Sequence, residues 1–230
     1  MALGVGQASA DQGAILLFSK TAGYRHKSIP AGVAAINALG EQAGLRVDAT
    51  ESASAFTDDQ LAHYRAVVFL NTTGDVLDAN EQAAFERFIQ HGGGFVGIHS
   101  ASDTEYDWPW YGRLVGAYFQ DHPAIQQAAL IVDRADASTA HLPARWVRTD
   151  EWYNFRDTAW EPLRVLIRLD ESSYTGGKMG AMHPITWYHS FDGGRAWYTA
   201  MGHTDESFAE PAFLQHLREG IKWAAGVSAP

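Results

Sequence analysis

Three short apolar runs in the first half of the chain each end abruptly on polar residues. The runs are Ala14–Ser19, Ala66–Leu70 and Gly94–Ile98. Uninterrupted apolar runs of this length are typical of strands that are covered on both faces of a sheet. Between them, residues 31–43 and 80–91 carry apolar positions at helical spacing, and Asp78 is a suitable N-cap for the second segment. The alternation predicts βαβ units and an α/β fold, a doubly wound, mostly parallel sheet flanked by helices.

The second half of the chain is richer in strands and turns. Predicted strands cover Ala128–Asp133, Leu163–Leu169, Pro184–Ser190 and Arg195–Met201. The segment Asp192-Gly-Gly between the last two strands predicts a tight turn, because glycine readily adopts a positive φ. Pro109 begins a short predicted helix through Leu114, and a final helix is predicted from Pro211 to Ala225. We therefore expect β-hairpin additions to the parallel half.

Polar side chains follow the three strands of the first half. His26 lies in the loop after the first strand, Asn71 directly follows the second, and His99 directly follows the third. Since parallel strands end at the same edge of a sheet, we expect these residues to gather where open α/β sheets bind ligands. His99 is the first candidate for chemistry. The alternative is that His99 only caps its strand by hydrogen-bonding nearby backbone.

Composition limits the classes of protein to which this chain can belong. A chain of 230 residues with 46% hydrophobic content can bury one sizeable core, and no repeat or linker divides it, so we predict a single domain over residues 13–228. The formal net charge of -10 argues against a nucleic-acid partner, because binding to phosphates needs a basic face. No apolar run approaches the roughly 20 residues of a membrane-spanning helix, so no membrane span is expected.

The first residues are expected to lie outside the domain. Ala8-Ser-Ala10 before Asp11 is the small-residue pattern at which signal peptidases cut, although no basic region or full apolar region precedes it. We therefore interpret residues 1–12 as a leader or signal-peptide remnant, and we expect a periplasmic or secreted protein. The alternative is a disordered leader or cloning remnant on a cytoplasmic protein.

Several separate motifs, in this order, resemble the ThuA-like (trehalose utilisation) family. They are Gly23–His26, Gly97–Asp103, Gly116–Phe119, Asp121–Pro123, Asp150–Tyr153, His183–His189 and Gly194–Thr204. The resemblance extends from about Ala14 to Ala225. It implies a class I glutamine amidotransferase-like fold and a role in the breakdown of disaccharides. Any one of these motifs alone would be a weak signal, and their order makes the resemblance specific.

The residue inventory separates this chain from the class I amidotransferases. Those enzymes carry a cysteine nucleophile at the turn from strand to helix, and the comparable turn here contains His99 and Ser100 in a chain without cysteine. A glutaminase mechanism by thiolate attack is therefore excluded. Ser100 is an alternative nucleophile, but no Gly-x-Ser-x-Gly motif surrounds it, and we interpret it as a hydrogen-bonding residue of the turn.

Histidine and carboxylate side chains remain as the candidate catalytic groups. Imidazole and carboxylate can bind a divalent metal such as zinc or can shuttle protons near neutral pH, and sequence spacing does not separate these two uses. The predicted catalytic residues are His26, His99, Asp103, Glu151 and His203. The motifs also contain His122, His183 and His189. The four histidines outside the motifs are interpreted as having no function; they are His63, His91, His141 and His216.

A second set of side chains is expected to contact a sugar. Aromatic rings can stack on carbohydrate, and neighbouring polar groups can hydrogen-bond its hydroxyls. The predicted substrate-binding residues are Asn71, Ser100, Trp108, Tyr111, Tyr118, Trp152 and His189. The alternative for the aromatic members is packing in the core, where large aromatic residues usually lie.

The function that these patterns favour is that of a carbohydrate-catabolic enzyme. We expect it to act on a glycoside or keto-glycoside by hydrolysis, elimination or isomerisation, through acid-base chemistry with optional assistance from a metal. The alternative is a non-catalytic carbohydrate-binding or assembly module on the same fold. The expected partner is a small-molecule carbohydrate, and the Trp-rich surface candidates are compatible with a homodimer.

Overall fold

A computed structural model describes residues 13–156 and 163–227. Within these residues the chain alternates between strands and helices before it turns to a mostly antiparallel region. The strands are β1 (Ala14–Phe18), β2 (Arg46–Thr50), β3 (Ala66–Leu70), β4 (Gly94–Ile98), β5 (Tyr118–Asp121), β6 (Gln126–Val132), β7 (Arg145–Asp150), β8 (Asn154–Arg156), β9 (Arg164–Asp170), β10 (Pro184–Phe191) and β11 (Gly194–Thr199). The α-helices are α1 (Ile29–Gln42), α2 (Asp58–Leu61), α3 (Ala79–Gln90), α4 (Pro109–Val115) and α5 (Pro211–Ala224).

One nine-stranded sheet organises the described residues, and its strand order is β2-β1-β3-β4-β11-β10-β9-β6-β7. The strands from β2 to β11 in this order are mutually parallel, whereas β10, β9, β6 and β7 pair antiparallel. A separate antiparallel pair is formed by β5 and β8. The predicted α/β class is confirmed. Because the β10–β11 hairpin returns the chain beside β4, the end of β11 lies at the same edge as the ends of β1, β3 and β4.

Helices cover both faces of the parallel strands. Successive side chains of a strand point to opposite faces. On one face, Trp197 of β11 packs against His216 of α5. On the other, Phe69 of β3 stacks on Phe85 of α3 and on Tyr111 of α4. The strands between these two layers are buried along their whole length, which explains their uninterrupted apolar sequences.

Local signals in the sequence correctly located most elements of the fold. Asp78 caps α3 in a capping box with Glu81, and the β10–β11 hairpin turns at Asp192 and Gly193, both at positive φ. The sequence prediction missed the strands β2 and β7 at the two edges of the sheet, together with β5 and β8. Edge strands are partly exposed and carry charged residues, as in Arg46–Thr50 and Arg145–Asp150, so they lack the apolar run that identifies a central strand.

The predicted leader, residues 1–12, lies outside the described residues, so its interpretation and the expected export stay predictions. Among the described helices, none is long and apolar enough to cross a membrane.

Candidate functional site

Five loops of the sheet bring four predicted catalytic residues and one predicted substrate-binding residue to the same region. His26, Asn71, His99 and His203 follow β1, β3, β4 and β11, whose carboxyl ends are adjacent. Glu151 directly follows β7, at the far edge of the sheet. One ligand atom from each of His26, His99, Glu151 and His203 lies within 4.8 Å of the others. The structure therefore brings together four of the five predicted catalytic residues.

His99 occupies the most constrained position in this cluster. Its backbone has φ +50°, in the left-handed region that residues other than glycine rarely adopt, and its side chain is completely buried. Its Nδ1 lies 2.7 Å from the carbonyl oxygen of Ala200, and its ring packs over that of Tyr153 at a centroid distance of 4.3 Å. A carbonyl oxygen only accepts hydrogen bonds, so Nδ1 is protonated and Nε2 faces the cluster. The backbone interaction expected as the alternative is thus present, but it leaves the second nitrogen available.

Three atoms form a tight triangle at the centre of the site. His99 Nε2 lies 3.1 Å from His203 Nδ1 and 3.4 Å from Glu151 Oε2. His203 Nδ1 lies 3.0 Å from the same Glu151 oxygen. The rings of His99 and His203 meet the ring of His26 edge-on, at centroid distances of 4.8 and 5.0 Å. His26 therefore closes one side of the triangle.

The carboxylate and the imidazoles change one another's ionisation. Burial alone would raise the pKa of Glu151, but hydrogen bonds with His203 and His99 hold it well below its usual range. Burial lowers the pKa of His203, yet the hydrogen bond and the charge of Glu151 outweigh this effect and raise it. Burial, followed by the neighbouring charges of His99 and His203, lowers the pKa of His26 to about 2. At neutral pH the site thus contains an ionised Glu151 and a neutral His26.

Asp150 holds the loop that carries His203, a role that the sequence analysis missed. Its carboxylate is fully buried and accepts hydrogen bonds from the backbone N–H groups of Gly202 and His203 at 2.9 and 3.1 Å. It also accepts hydrogen bonds from Arg148 at 3.1 Å and from the Ser207 hydroxyl at 3.0 Å. Because Asp150 precedes Glu151, a single carboxylate fixes the loop of His203 relative to β7. The Asp150–Tyr153 motif contained this residue, but only the fold identifies its partners.

Asp103 lies beside the cluster without joining it. Its carboxylate accepts a 2.5 Å hydrogen bond from the Tyr106 hydroxyl, rather than from an imidazole of the described residues. Burial raises the pKa of Asp103, although the hydrogen bond from Tyr106 and the nearby His99 act in the opposite direction. Among the described residues, Asp103 therefore has its hydrogen bond with a tyrosine and not with a histidine of the cluster.

The two small polar residues predicted to bind substrate are buried beneath the histidines. Asn71 donates hydrogen bonds from Nδ2 to Ser28 Oγ and to the Gly202 carbonyl oxygen, both at 3.1 Å. Ser100 Oγ lies 3.4 Å from His26 Nδ1. These contacts join the loops that carry His26, His99 and His203, so both residues organise the site from within the protein.

The remaining predicted substrate-binding residues lie outside the cluster. They are buried, and each uses its polar atom in a hydrogen bond to another part of the fold. The acceptors are Glu86 for Trp108, the Ala101 carbonyl for Tyr111, the Glu105 and Trp108 carbonyls for Tyr118, the Gln126 carbonyl for Trp152 and the Leu114 carbonyl for His189. These contacts correspond to the packing alternative considered for the aromatic residues.

The structure adds neighbours that the sequence did not assign to the site. His122 Nδ1 lies 3.1 Å from Glu151 Oε1, and 40% of the His122 side chain is exposed. The ring of Tyr153 lies between those of His99 and Phe119, at 4.3 Å from each. Tyr24 is 62% exposed and packs edge-on against His26 at 4.8 Å. Both residues lie within motifs of the sequence analysis, Asp121–Pro123 and Gly23–His26, but neither was assigned to the site there.

The other histidines lie elsewhere in the fold. His63 and His91 are exposed, and His141 and His216 hydrogen-bond the carbonyl oxygens of Ala212 and Ser138. His183 is buried between Glu171 and the Tyr153 carbonyl oxygen, at 2.7 and 2.8 Å. The Tyr174 hydroxyl lies 3.2 Å from the Nδ1 of His183 as well, and the contact with the carbonyl oxygen of Tyr153 holds that backbone in place, so this ring does not face the cluster.

The assembled site can perform two kinds of chemistry. Imidazoles beside an ionised carboxylate can accept and return protons near neutral pH. The same nitrogen and oxygen atoms are ligands for zinc and related divalent ions. His203 and His122 connect this otherwise buried cluster with solvent, since 17% and 40% of their side chains are exposed.

Comparisons with known proteins agree with this architecture. The ThuA family model, described as trehalose utilisation, matches residues 14–224. A ThuA-like protein from Bacteroides uniformis superposes with a TM-score of 0.77 at 23% identity, covering 97% of this chain and 95% of the other. A ThuA-like protein from Parabacteroides merdae also gives 0.77, at 20% identity and with coverages of 92% and 89%.

A more distant similarity is to a domain-sized part of a glycosidase. The β-galactosidase from Bacillus circulans sp. alkalophilus gives a TM-score of 0.61 at 14% identity, with 95% of this chain matching 32% of that enzyme. At such low identity these structural similarities show the fold alone. No curated protein matches this chain.

Proposed function

This chain belongs to the ThuA, or trehalose utilisation, family, and from that membership we propose that it is a carbohydrate-catabolic enzyme. Its substrate is a glycoside or keto-glycoside, and its reaction is a hydrolysis, an elimination or an isomerisation. The observation that carries this proposal is the convergence of His26, His99, Glu151 and His203 at the carboxyl edge of the sheet. Four separate loops supply this cluster, at the edge where α/β sheets bind ligands.

The proposed chemistry is proton transfer at a sugar carbon or at a glycosidic oxygen. A hydrogen next to a keto group is acidic enough for a positioned imidazole or carboxylate to remove it. Glu151, ionised and hydrogen-bonded to His203, forms with it an acid-base pair of the kind that such a step needs. His26 stays neutral near pH 7, so it can accept a hydrogen bond without adding positive charge.

The surroundings of the cluster suit a sugar ring. Tyr24 presents an exposed aromatic ring next to His26, and aromatic rings stack on the apolar faces of carbohydrates. His122 lies on the solvent side of Glu151 and can hydrogen-bond hydroxyl groups. We assign Tyr24 and His122 to substrate contact, and His203 and Glu151 to the reacting groups.

The test is a turnover screen with ordinary and 3-keto disaccharides, comparing the wild-type chain with Glu151→Gln and the surface variant His63→Gln. We expect turnover of at least one keto-glycoside, a loss of about 100-fold or more in Glu151→Gln, and no loss in His63→Gln. Release of ammonia from glutamine should stay at background, because the chain has no cysteine nucleophile. Saturable sugar binding without turnover would instead favour a binding module, and equal turnover in Glu151→Gln would remove this cluster from the mechanism.

A further inference from the structure

With His99 in its neutral form, the central triangle of the site has fewer protons than close contacts among its three atoms. His99 Nδ1 donates to the Ala200 carbonyl oxygen at 2.7 Å, so Nε2 of the neutral ring carries a lone pair. This lone pair faces Glu151 Oε2 at 3.4 Å, and a carboxylate oxygen also has only lone pairs to offer. His203 Nδ1 is the third corner and can supply one proton. One proton therefore serves two acceptor atoms that lie close to each other in a buried site.

A cation in the centre would satisfy all three atoms at once. Zinc bonds to imidazole nitrogen and carboxylate oxygen are about 2.0 to 2.2 Å long. In tetrahedral coordination, neighbouring ligand atoms are then about 3.3 to 3.6 Å apart. In six-coordinate geometry, adjacent ligand atoms are about 3 Å apart. The three observed separations are 3.0, 3.1 and 3.4 Å. His26 provides a fourth ligand atom, within 4.8 Å of the others.

The groups behind these ligands are those that orient metal-binding side chains in proteins. Metal-bound histidines usually donate their second N–H to a carbonyl or carboxylate, as His99 does to Ala200. The outer oxygen of Glu151 is held by His122 Nδ1, which also faces the Pro123 carbonyl oxygen and is therefore a donor. The backbone N–H of His203 is held by Asp150. The side chains of His99 and Glu151 and the backbone of His203 are thus held in place before any ion binds.

We infer that His26, His99, Glu151 and His203 form a binding site for one divalent transition-metal ion of the zinc class. Three nitrogens and one carboxylate oxygen without any thiolate suit zinc and its neighbours better than magnesium or calcium, which prefer oxygen ligands. The partly exposed His203 and His122 mark the side from which a further ligand can approach. Binding of the ion stands on this geometry alone, whereas its use in polarising a sugar carbonyl rests on the proposed function.

The test measures metal binding directly. Purified wild-type protein is analysed for its elements, stripped with a chelator and titrated with zinc chloride against a chromophoric chelator. We expect one ion per chain. His99→Asn should bind zinc more than about 100-fold more weakly, because loss of an outer-shell partner alone costs about 10- to 100-fold. Asparagine tolerates the left-handed backbone of residue 99, so this variant keeps the local conformation.

Glu151→Gln provides a second ligand variant with almost the same shape, and His63→Gln is the control for an exposed histidine. Circular dichroism and thermal unfolding show whether each variant is folded, and cobalt absorption spectra report whether nitrogen and oxygen ligands surround the ion. The inference fails if stripped wild-type protein binds zinc no more tightly than His99→Asn or Glu151→Gln. Zinc binding without sugar turnover would contradict the proposed function only. Full turnover by metal-free protein would show that the reaction does not require the ion.

Discussion

At the scale of single residues, the site depends on side chains that never face solvent. Asp150 is the clearest case, because its carboxylate binds the backbone of Gly202 and His203 and an almost completely buried Arg148 side chain. Buried charges are tolerated only when they are paired and hydrogen-bonded. This one residue therefore links the stability of the fold with the position of His203.

We predict that Asp150→Asn destabilises the protein by about 3 kcal/mol, because it removes one of the two carboxylates that pair with the buried Arg148 and weakens the acceptor of two backbone N–H groups. The matched control is Asp133→Asn, which breaks the ion pair with Arg164 at the surface and should cost less than about 1 kcal/mol. Urea denaturation of both variants measures the difference. Equal losses of unfolding free energy in the two variants would show that Asp150 contributes no more to stability than a residue of a surface ion pair.

At the scale of elements, each functional loop follows a strand, and neighbouring elements hold these strands in register. Helix α3 packs on the sheet through Phe85 and begins at a capping box. Asp78 accepts hydrogen bonds from the N–H groups of Asn80 and Glu81 at 2.8 and 3.0 Å, and Glu81 accepts one from the Asp78 N–H at 2.8 Å. These bonds satisfy donors that the first turn of the helix cannot pair itself.

Asp78→Ala should therefore reduce the free energy of unfolding by about 1 kcal/mol, whereas Asp78→Asn should retain most of it, because asparagine is a comparable N-cap. Chemical denaturation of both variants tests this prediction. A loss in Asp78→Asn as large as in Asp78→Ala would mean that the negative charge, rather than the cap hydrogen bond, stabilises the start of α3.

At the scale of the whole molecule, two buried histidines make the stability of the fold depend on pH. Burial lowers the pKa of His216, between α5 and Trp197, to about 3, and burial likewise lowers that of His26 to about 2. In the unfolded chain both rings titrate near the ordinary value of 6.5. Below pH 6.5 the unfolded state thus binds protons that the folded state does not, so stability falls as the pH falls.

For His216 alone, the expected loss between pH 6 and pH 5 is about 1 kcal/mol. His216→Leu should have a correspondingly smaller difference in unfolding free energy between these two pH values, whatever its absolute stability. The exposed His63→Gln variant should keep the wild-type difference, since that side chain meets water in both states. Denaturation curves at pH 6 and pH 5 measure this difference in both variants. If His216→Leu kept the wild-type difference, the lowered pKa of His216 would not be the source of the pH dependence.

The sequence by itself determined the central strands β1, β3 and β4 of the parallel half, the helices α1 and α3, and the final hairpin. These elements are encoded locally, by apolar runs, by the Asp78 cap and by the Asp192-Gly193 turn. It also placed His26 and His99 after strands of a parallel sheet, whose loops share one edge as a matter of topology. His203 joined this set because it follows the final hairpin strand, and the resemblance to known motifs added Glu151.

Only the tertiary structure decided how these residues meet. Glu151 leaves an edge strand that the sequence did not reveal, and its contacts with His99 and His203 depend on the fold between them. The protonated nitrogen of His99 is set by Ala200, 101 residues away along the chain. The burial of Tyr111 and Trp152 is likewise a result of packing. The amino-acid sequence shows which side chains are present. Their distances and partners depend on contacts between residues far apart in the chain, which form only when the whole sheet has formed.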